Sequence, residues 1–282
     1  MDTKVNTPME IIKFLKHPRV YIQNKANKIA ENKIKQLNFI SITETNDEDI
    51  FIAGFPKSGN TWMQNLVSSI LLESTSQRIT PRLVNELVPD IHFKKYYKRF
   101  FPVMFFKTHD LPKPRYKKVI HLVRDGRDAM VSYFKMGINQ NKNFPYSLKD
   151  MVVEGKGVYP AKWHIHTREW AHNPYKAKII TLQYEELLRN PLMELKKVCD
   201  FANIVVSDEF LLKVINGNSI EKLRSKVSLF GTDNESVFKN KPVSSFFRKG
   251  EIGNYKKEMD EELITFFNKE AREELLKYGY LL

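Results

Sequence analysis

The stretch AGFPKSGNTW has a glycine spacing that is typical of a phosphate-binding loop. Gly54 and Gly59 match the glycines of the motif G-x-x-x-x-G-K-[ST], and Thr61 occupies the hydroxyl position. Asn60 fills the lysine slot, whereas Lys57 stands three residues earlier. The usual clamp on the β- and γ-phosphates is therefore missing, which argues against a triphosphate. We expect a shorter nucleotide whose 5′ phosphate carries one further anionic group; an ordinary tight turn is the alternative.

The motif HLVRDGRDAMVSYF contains an arginine and a hydroxyl that could bind a second phosphate. Arg124 ends a predicted strand, and Ser132 follows eight residues later inside a predicted helix. A guanidinium binds phosphate in a fork geometry, and a serine hydroxyl can donate a further hydrogen bond. The two residues therefore form a candidate phosphate clamp. The alternative is a solvated turn in which these arginines and aspartates pair with one another.

The motif FFRKGEIGNYKK offers a further cluster of cations. Arg248 and Lys249 are followed by Gly250 and preceded by Phe246. A guanidinium, backbone N–H groups and an aromatic face together suit a phosphorylated adenosine. A basic surface turn is the alternative for this motif taken alone.

The motif FKTHDLP places a lysine and a histidine at the end of a predicted strand. Lys107 and His109 are two residues apart, so their side chains leave the same side of an extended segment. Histidine titrates near neutrality, which suits a general base, and a neighbouring lysine can stabilise developing charge. A structural histidine is the alternative.

Strands and helices alternate along the chain, so these motifs are predicted to lie on an α/β fold. Apolar runs of strand length occur at 49–55, 102–109, 117–125 and the start of 177–187. Helical spacing occurs at 60–72, 126–138, 160–172, 191–202 and 258–277. This alternation indicates a central, mostly parallel sheet flanked by helices, whose ligands gather at the carboxyl ends of the strands. We predict one domain over 1–282, with 1–47 as a helical lead-in and 223–250 as a loop.

Composition restricts the class of protein. The chain has 282 residues, a formal net charge of +13 and ordinary hydrophobic and charged fractions of 42% and 28%. The positive charge attracts anions, although lysine-rich solvated helices explain it equally well. Cys199 is the single cysteine, so no disulfide forms within the chain, and its apolar surroundings predict a buried structural thiol. With no signal peptide and no apolar run of membrane-spanning length, the sequence predicts a soluble, cytoplasmic protein.

Taken together, PKSGNTW, KTHDLP, RDGRDAMVSYF and RKGEIGNYK resemble the cytosolic sulfotransferase family that uses 3′-phosphoadenosine 5′-phosphosulfate (PAPS). The resemblance runs from about residue 50 to 257, with the motifs in family order, and WHIHTREW and LQYEELLRNP also look like family segments. It implies an α/β fold with a P-loop-like phosphosulfate-binding loop. It also implies that the enzyme transfers a sulfuryl group and releases PAP.

The resemblance assigns a role to each motif. Lys57 matches the lysine that reaches the oxygen bridging the 5′-phosphate and the sulfuryl group, where charge builds as sulfate leaves. His109 matches the general base, and Lys107 matches its stabilising partner. The nucleotide contacts would be Ser58, Gly59, Asn60 and Thr61 at the 5′-phosphate; Trp62, Tyr184, Phe246 and Ser219 at the adenine; and Arg124, Ser132, Arg248, Lys249 and Gly250 at the 3′-phosphate. The acceptor pocket would draw on residues 90–101, Phe134, Tyr146, Trp163 and the 229–246 loop.

Three departures separate this chain from the animal enzymes of the family. Asn60 replaces a commoner threonine, Asn254 and Tyr255 replace Asp-Trp, and Asp110 is inserted directly after the candidate base. Asp110 could orient the base or cap the next turn, could pair with a cationic acceptor, or could be a solvated side chain. Segment 256–270 lacks the Thr-Val dimer motif of the animal enzymes, so the sequence leaves the oligomeric state open.

The sequence therefore predicts a PAPS-dependent sulfotransferase acting on an alcohol, phenol or amine of a small molecule such as a natural product. No acidic or histidine cluster has metal-ligand spacing, so no metal is expected. The alternatives are a P-loop kinase of a small metabolite, which needs a lysine after Gly59, and a nucleic-acid-binding protein that uses the +13 charge. Neither nucleic acid nor a membrane is an expected partner. Polysaccharide sulfotransferases of the secretory pathway share the fold but would need a membrane anchor.

Overall fold

The computed structural model describes residues 18, 29, 32–34, 36–74, 79–141, 143–230 and 252–281. The chain divides into two compact units, a smaller one of Met1–Glu44 with Lys95–Arg99 and a larger one of Thr45–Lys94 with Phe100–Leu282. The described part of the smaller unit contains the antiparallel pair β1 (Ile40–Ser41) and β3 (Tyr96–Tyr97). The single domain over 1–282 and the lead-in over 1–47 stay predictions.

The larger unit carries the sheet and the helices predicted from the alternating pattern. Its strands are β2 (Ile50–Gly54), β4 (Phe105–Thr108), β5 (Lys118–Val123) and β6 (Lys178–Gln183). Its helices are α1 (Asn60–Leu71), α2 (Pro81–Leu87), α3 (Gly126–Gln140), α4 (Trp163–His172), α5 (Tyr184–Arg189), α6 (Pro191–Ala202), α7 (Asp208–Gly217), α8 (Ile220–Phe230), α9 (Glu261–Glu270) and α10 (Arg272–Lys277). A π-helical turn spans Asp150–Glu154, and a 3₁₀ turn spans Asn254–Lys257.

The four strands are all parallel, in the order β4-β2-β5-β6. The register pairs Ala53 with Thr108 and Gly54 with Leu122, so three strands end at one level of the same sheet edge. Parallel neighbours need crossover connections, which the helices supply. The α/β prediction is confirmed, and the sheet brings the loop motif, the lysine–histidine motif and the arginine motif together.

Strand β2 lies at the centre because its side chains are apolar in both directions. Ile50 and Ile52 pack into a core cluster with Leu66 of α1 and Leu195 of α6. Phe51 points the other way, where its ring lies 4.3 Å from that of Tyr116. A strand buried on both faces reads as a continuous apolar run, as this one does. This burial holds the loop that follows β2 on a rigid support.

The stretch 223–250, predicted as a loop, is helical as far as Phe230 in α8. Leu223 is fully buried there, and the helix packs on α2. Burial of one face therefore stabilises a helix whose sequence pattern is weak. Residues 231–251 lie outside the described residues. Among the helices that the structure describes, none combines the length and the apolar character needed to cross a membrane.

Candidate active site

The loop between β2 and α1 has the backbone of an anion cradle. The Ser58 N–H donates to the carbonyl of Phe55 at 3.1 Å, and Gly59 adopts φ of +100° immediately before the helix begins. A β-carbon at Gly59 would stand 2.9 Å from the Tyr184 ring, so both backbone and space require glycine. The first N–H groups of α1 have no partner within the helix and point to the end where the helix dipole favours negative charge. The predicted strand–turn–helix context is confirmed.

The buried hydroxyl of Ser58 also indicates an anion-binding site in this loop. Its side chain is 1% exposed, and its hydroxyl has no hydrogen-bond partner within the described part of the chain. A buried hydroxyl normally has a partner, because leaving it unpaired costs about 1–3 kcal/mol. A bound phosphate oxygen would satisfy it. The residues present therefore fit the anionic end of a nucleotide.

Asn60 is turned away from the cradle and toward the end of β2. Its amide donates to the carbonyls of Gly54 at 3.0 Å and Phe55 at 3.3 Å, and it lies 2.9 Å from Nδ1 of His109. The side chain thus locks the loop to the strand, which leaves the Asn60 backbone N–H for an anion. This explains how asparagine can occupy the lysine slot.

Arg124 follows β5 and lies beside the loop. Its guanidinium donates to the carbonyl of Lys57 at 3.2 Å and stacks 4.6 Å over the ring of Tyr184. Ser132 is buried two turns along α3 from the start of that helix. The arginine is thereby held at the edge of the loop, where its guanidinium could bind a phosphate.

Two aromatic side chains, Trp62 and Tyr184, lie between the loop and the start of α8. The rings of Trp62 and Tyr184 meet edge to face at 5.9 Å, and the indole N–H of Trp62 donates to the carbonyl of Asn218 at 3.0 Å. Ser219 follows directly and precedes the first turn of α8. Trp62, Tyr184 and Ser219, separate in the sequence, therefore border one region beside the anion loop.

The third basic motif is tied to the arginine motif by a residue that we did not select from the sequence. Asp128 accepts hydrogen bonds from the backbone N–H groups of Gly253 at 2.7 Å and Tyr255 at 2.9 Å, and lies 3.9 Å from the Arg124 guanidinium. The only signal for this role was its place in Arg-Asp-Gly-Arg-Asp. Phe246, Arg248, Lys249 and Gly250 lie outside the described residues, so their assignments stay predictions.

His109 reaches the anion loop from the end of β4. Its Nδ1 lies 2.8 Å from the carbonyl oxygen of Gly54. A carbonyl only accepts, and the two amide hydrogens of Asn60, whose nitrogen lies 2.9 Å from Nδ1, go to the carbonyls of Gly54 and Phe55. We therefore assign the ring proton to Nδ1 and the basic lone pair to Nε2. Burial, followed by the charge of Lys107, lowers the pKa of His109 to about 4. The imidazole is therefore neutral at physiological pH, with a pKa well below the near-neutral value expected from the sequence.

Lys107 is ion-paired rather than isolated. Its ammonium lies 2.8 Å from Oδ2 of Asp90, and both side chains are almost fully buried. Burial raises the pKa of the Asp90 carboxyl, but the attraction of Lys107 and then of His109 outweighs it, so the pKa lies below its ordinary value. Sequence reasoning placed Asp90 only in a candidate acceptor segment and missed this pairing.

Asp110 points away from the base. Its carboxylate accepts from Lys113 at 2.5 Å, from the Tyr116 hydroxyl at 2.6 Å and from the Tyr159 hydroxyl at 2.7 Å. Burial works against ionisation, but these hydrogen bonds together lower the pKa of Asp110 to about 2. The carboxylate thus anchors the turn after β4 through three side-chain donors and is not a solvated side chain.

The aromatic residues chosen for the acceptor pocket differ in burial: Trp163 is core, whereas Phe134 and Tyr146 are only partly buried. Trp163 is 1% exposed and packs against Phe267, while Phe134 and Tyr146 pack on Phe144.

Among the residues that the structure describes, no group of histidine, cysteine, aspartate or glutamate side chains could hold a metal ion.

A family model described as "Sulfotransferase domain" matches residues 47–279. Sulfotransferase 1B1 of Mus musculus is 26% identical in an alignment of 228 positions, gaps included, that covers 74% of this chain and 76% of that protein. Luciferin sulfotransferase of Photinus pyralis is 25% identical in an alignment of 287 positions, gaps included, that covers 88% of this chain and 77% of that protein.

Solved structures show the same fold. Mouse sulfotransferase SULT7A1, complexed with PAP, has a TM-score of 0.58 at 18% identity, with 84% of this chain and 90% of that chain covered. Retinol dehydratase, complexed with androsterone and PAP, has a TM-score of 0.59 at 21% identity, with 82% of each chain covered. Because the family model spans most of the chain, including the anion loop and the His109 strand, the chain belongs to the sulfotransferase family.

Proposed function

We propose that this sulfotransferase moves the sulfuryl group of PAPS to a hydroxyl or amine of a small molecule, with His109 as the general base. One observation carries the assignment. The imidazole of His109 is hydrogen bonded to the Gly54 carbonyl at the edge of the anion loop, so a neutral base and an anion cradle share one rigid support. A base for the acceptor thus lies where a transferring group would be held.

On the donor side, the loop would hold the 5′-phosphate. The supporting features are the buried Ser58 hydroxyl, the backbone N–H groups of Gly59, Asn60 and Thr61, and the start of α1. Lys57 would lie at the bridging oxygen. Arg124 and Ser132 would bind the 3′-phosphate, Trp62 would stack on the adenine, and Tyr184 and Ser219 would border it. Phe246, Arg248, Lys249 and Gly250 complete the proposed site from sequence resemblance alone.

On the acceptor side, Nε2 of His109 would take the proton of the acceptor hydroxyl or amine as that atom bonds to sulfur. The bond from sulfur to the bridging oxygen of the donor breaks in the same step, and PAP leaves with that electron pair. Lys57 would balance the charge that develops on the bridging oxygen, and Lys107 would balance charge on the transferring group. No redox change occurs, and the proton ends on His109.

The acceptor is proposed as an alcohol, phenol or amine. Relatives named for luciferin and retinol support a small organic acceptor of this kind. Asp110 does not support a cationic acceptor, because three donors already occupy its carboxylate. The family match does not favour the small-metabolite kinase. In addition, Asn60, which occupies the position of the kinase lysine, donates its side-chain amide to the Gly54 carbonyl at the end of β2.

A cytoplasmic location is part of the proposal. Cys199 is buried, as predicted, and burial raises the pKa of its thiol to about 11, so it stays protonated at neutral pH. A single buried thiol suits a reducing compartment. Neither nucleic acid nor a membrane is proposed as a partner.

The test is thermal unfolding with four nucleotides, followed by turnover. PAP and PAPS at 100 times their Kd should each add about 2.7 kcal/mol of stability. Adenosine 5′-phosphosulfate, which lacks the 3′-phosphate, and ATP with Mg²⁺ should add much less. PAP release from PAPS is then measured with a panel of phenols, aliphatic alcohols and amines. Equal stabilisation by ATP with Mg²⁺, or no PAP release with any acceptor, would refute the proposed function.

A further inference from the structure

We infer that Asp90 and His92 are positioning residues, which hold Lys107 and His109 in the orientation needed for transfer. The inference rests on the proposed function for its chemistry and on the contacts of one short segment, residues 89–92, for its geometry. Neither residue matches a motif of the resemblance, and neither was selected from the sequence as catalytic.

Segment 89–92 runs parallel to the end of β4. The Lys107 N–H donates to the Pro89 carbonyl at 2.9 Å, and the Ile91 N–H donates to the Lys107 carbonyl at 3.1 Å. Asp90 and Lys107 are thereby bridge partners. Residues two apart on an extended segment point to the same side. Asp90 therefore meets Lys107, and His92, two residues later, meets His109.

Asp90 is itself held from two directions, so it can hold Lys107. Its N–H donates to Oδ1 of Asn85 at 2.9 Å, and its own Oδ1 accepts from the His92 N–H at 3.0 Å. Its other oxygen, Oδ2, lies 2.8 Å from the Lys107 ammonium. The long, flexible lysine side chain is thus fixed at its charged end, in a buried position where an unpaired cation would be costly.

His92 holds the backbone of the base. Its Nε2 accepts the N–H of His109 at 2.9 Å, and the two imidazole rings are nearly parallel, at 17° with centroids 5.7 Å apart. Tyr159 also contacts the His92 ring, edge to face at 5.4 Å. A backbone amide only donates, so His92 can make this bond only while Nε2 is unprotonated, with the ring proton on Nδ1.

The base is therefore gripped at two points. The His109 ring is bonded to Gly54 on the anion loop, and the His109 backbone is bonded to His92 on the neighbouring segment. Loss of the second point would let the base move relative to the loop. Misplacement by about 1 Å can lower a rate by up to about a hundredfold. Loss of one hydrogen bond with its packing is expected to cost about tenfold in kcat.

Two substitutions of His92 separate the effect of its hydrogen bond to the His109 N–H from the effect of its ring packing. His92→Gln places an amide oxygen near the position of Nε2 and keeps an acceptor without the ring, whereas His92→Phe keeps a ring without an acceptor. We expect kcat to fall about tenfold in His92→Phe and less than threefold in His92→Gln. Asp90→Asn keeps an oxygen for the His92 N–H but leaves Lys107 without its carboxylate, so kcat should also fall about tenfold. The control is His172→Gln, at the last residue of α4.

If Asp90 and His92 act by positioning, their substitutions should lower kcat without weakening nucleotide binding. In all four variants the Kd for PAP and the KM for PAPS should stay within about twofold of the wild type. The reason is that Asp90 and His92 make their hydrogen bonds to Asn85, to each other and to the end of β4. Wild-type kcat in both His92→Phe and Asp90→Asn would overturn the inference. A tenfold loss in His92→Gln equal to that in His92→Phe would overturn the bond to His109 as its cause.

A measurement on the free enzyme tests the contact without any acceptor. Long-range ¹H–¹⁵N spectra of the imidazoles, with the His92 signals assigned from His92→Gln, should show Nε2 unprotonated and Nδ1 protonated at pH 7.5. The opposite tautomer would overturn the inference even if the enzyme is active. If the wild type releases no PAP with any acceptor, the proposed function fails, while the tautomer still decides whether His92 holds the His109 backbone.

Discussion

Buried histidines should make this fold sensitive to mild acid. Burial, followed by the charge of Lys107, lowers the pKa of His109 to about 4, and burial, followed by the charge of Lys277, lowers that of His121 to about 3. His166 lies beside them, fully buried, and burial followed by the neighbouring His121 and His109 holds its pKa well below the ordinary value. All three imidazoles are therefore neutral in the folded protein across the physiological range.

The sign of the effect follows from where each state takes up its protons. An unfolded histidine protonates near pH 6.5, whereas folded His109 and His121 do so only near pH 4 and 3. Between these values the unfolded chain binds more protons, so stability is complete above about pH 6.5 and falls as the pH drops. From pH 7 to pH 5 each of these two histidines should cost about 2 kcal/mol, and together about 4 kcal/mol. His166 acts in the same direction.

The assay is urea unfolding at pH 7, 6 and 5 in one buffer system at constant ionic strength. Near pH 5 the two histidines should give a slope of about 2.7 kcal/mol per pH unit. Asp90 and Asp110 do not interfere, because carboxylates with lowered pKa values lose their contribution only below the unfolded value. Glu185 acts in the opposite direction, because burial raises its pKa.

A matched variant identifies the groups responsible. His121→Phe keeps a ring against Trp170, on which His121 stacks at 5.7 Å, and removes the titration. The slope should fall by about 1.4 kcal/mol per pH unit, the effect of one proton. A free energy of unfolding that is constant between pH 7 and pH 5, or an unchanged slope in His121→Phe, would refute the reasoning.

Four further substitutions test the site. Arg124→Ala should weaken PAP by about 1.5–3 kcal/mol in titration calorimetry and barely affect a ligand without the 3′-phosphate; equal losses would make the arginine structural. His109→Ala should keep PAP affinity but lower turnover by about 10²–10⁴, so near-normal turnover would move the base elsewhere. Gly59→Ala forces a side chain into φ of +100° and toward Tyr184, so it should lower stability by about 1–2 kcal/mol and weaken PAP, and unchanged PAP affinity would count against the cradle. Asp110→Asn should lower the free energy of unfolding by about 1–3 kcal/mol and change KM equally for charged and neutral acceptors, whereas a rise for charged acceptors alone would assign it to cation binding.

The sequence by itself determined the features that depend on neighbouring residues. The anion loop could be predicted because its glycines, its strand and its helix are contiguous, and Gly59 is required by its own backbone angle. The parallel sheet could be predicted because strands and helices alternate within short windows. Arg124 and His109 could be placed near the loop because strand ends in such sheets share one edge.

Only the tertiary structure decided which side chains meet across that edge. Lys107 is paired with Asp90, and His109 is bonded to His92, because an irregular segment lies parallel to β4. Asp110 faces Tyr159, which lies 49 residues away in the chain, rather than the base beside it. No local pattern encodes these contacts. They arise when distant segments are packed together and each buried polar group must find a partner, a condition set by the whole fold and not by any one motif.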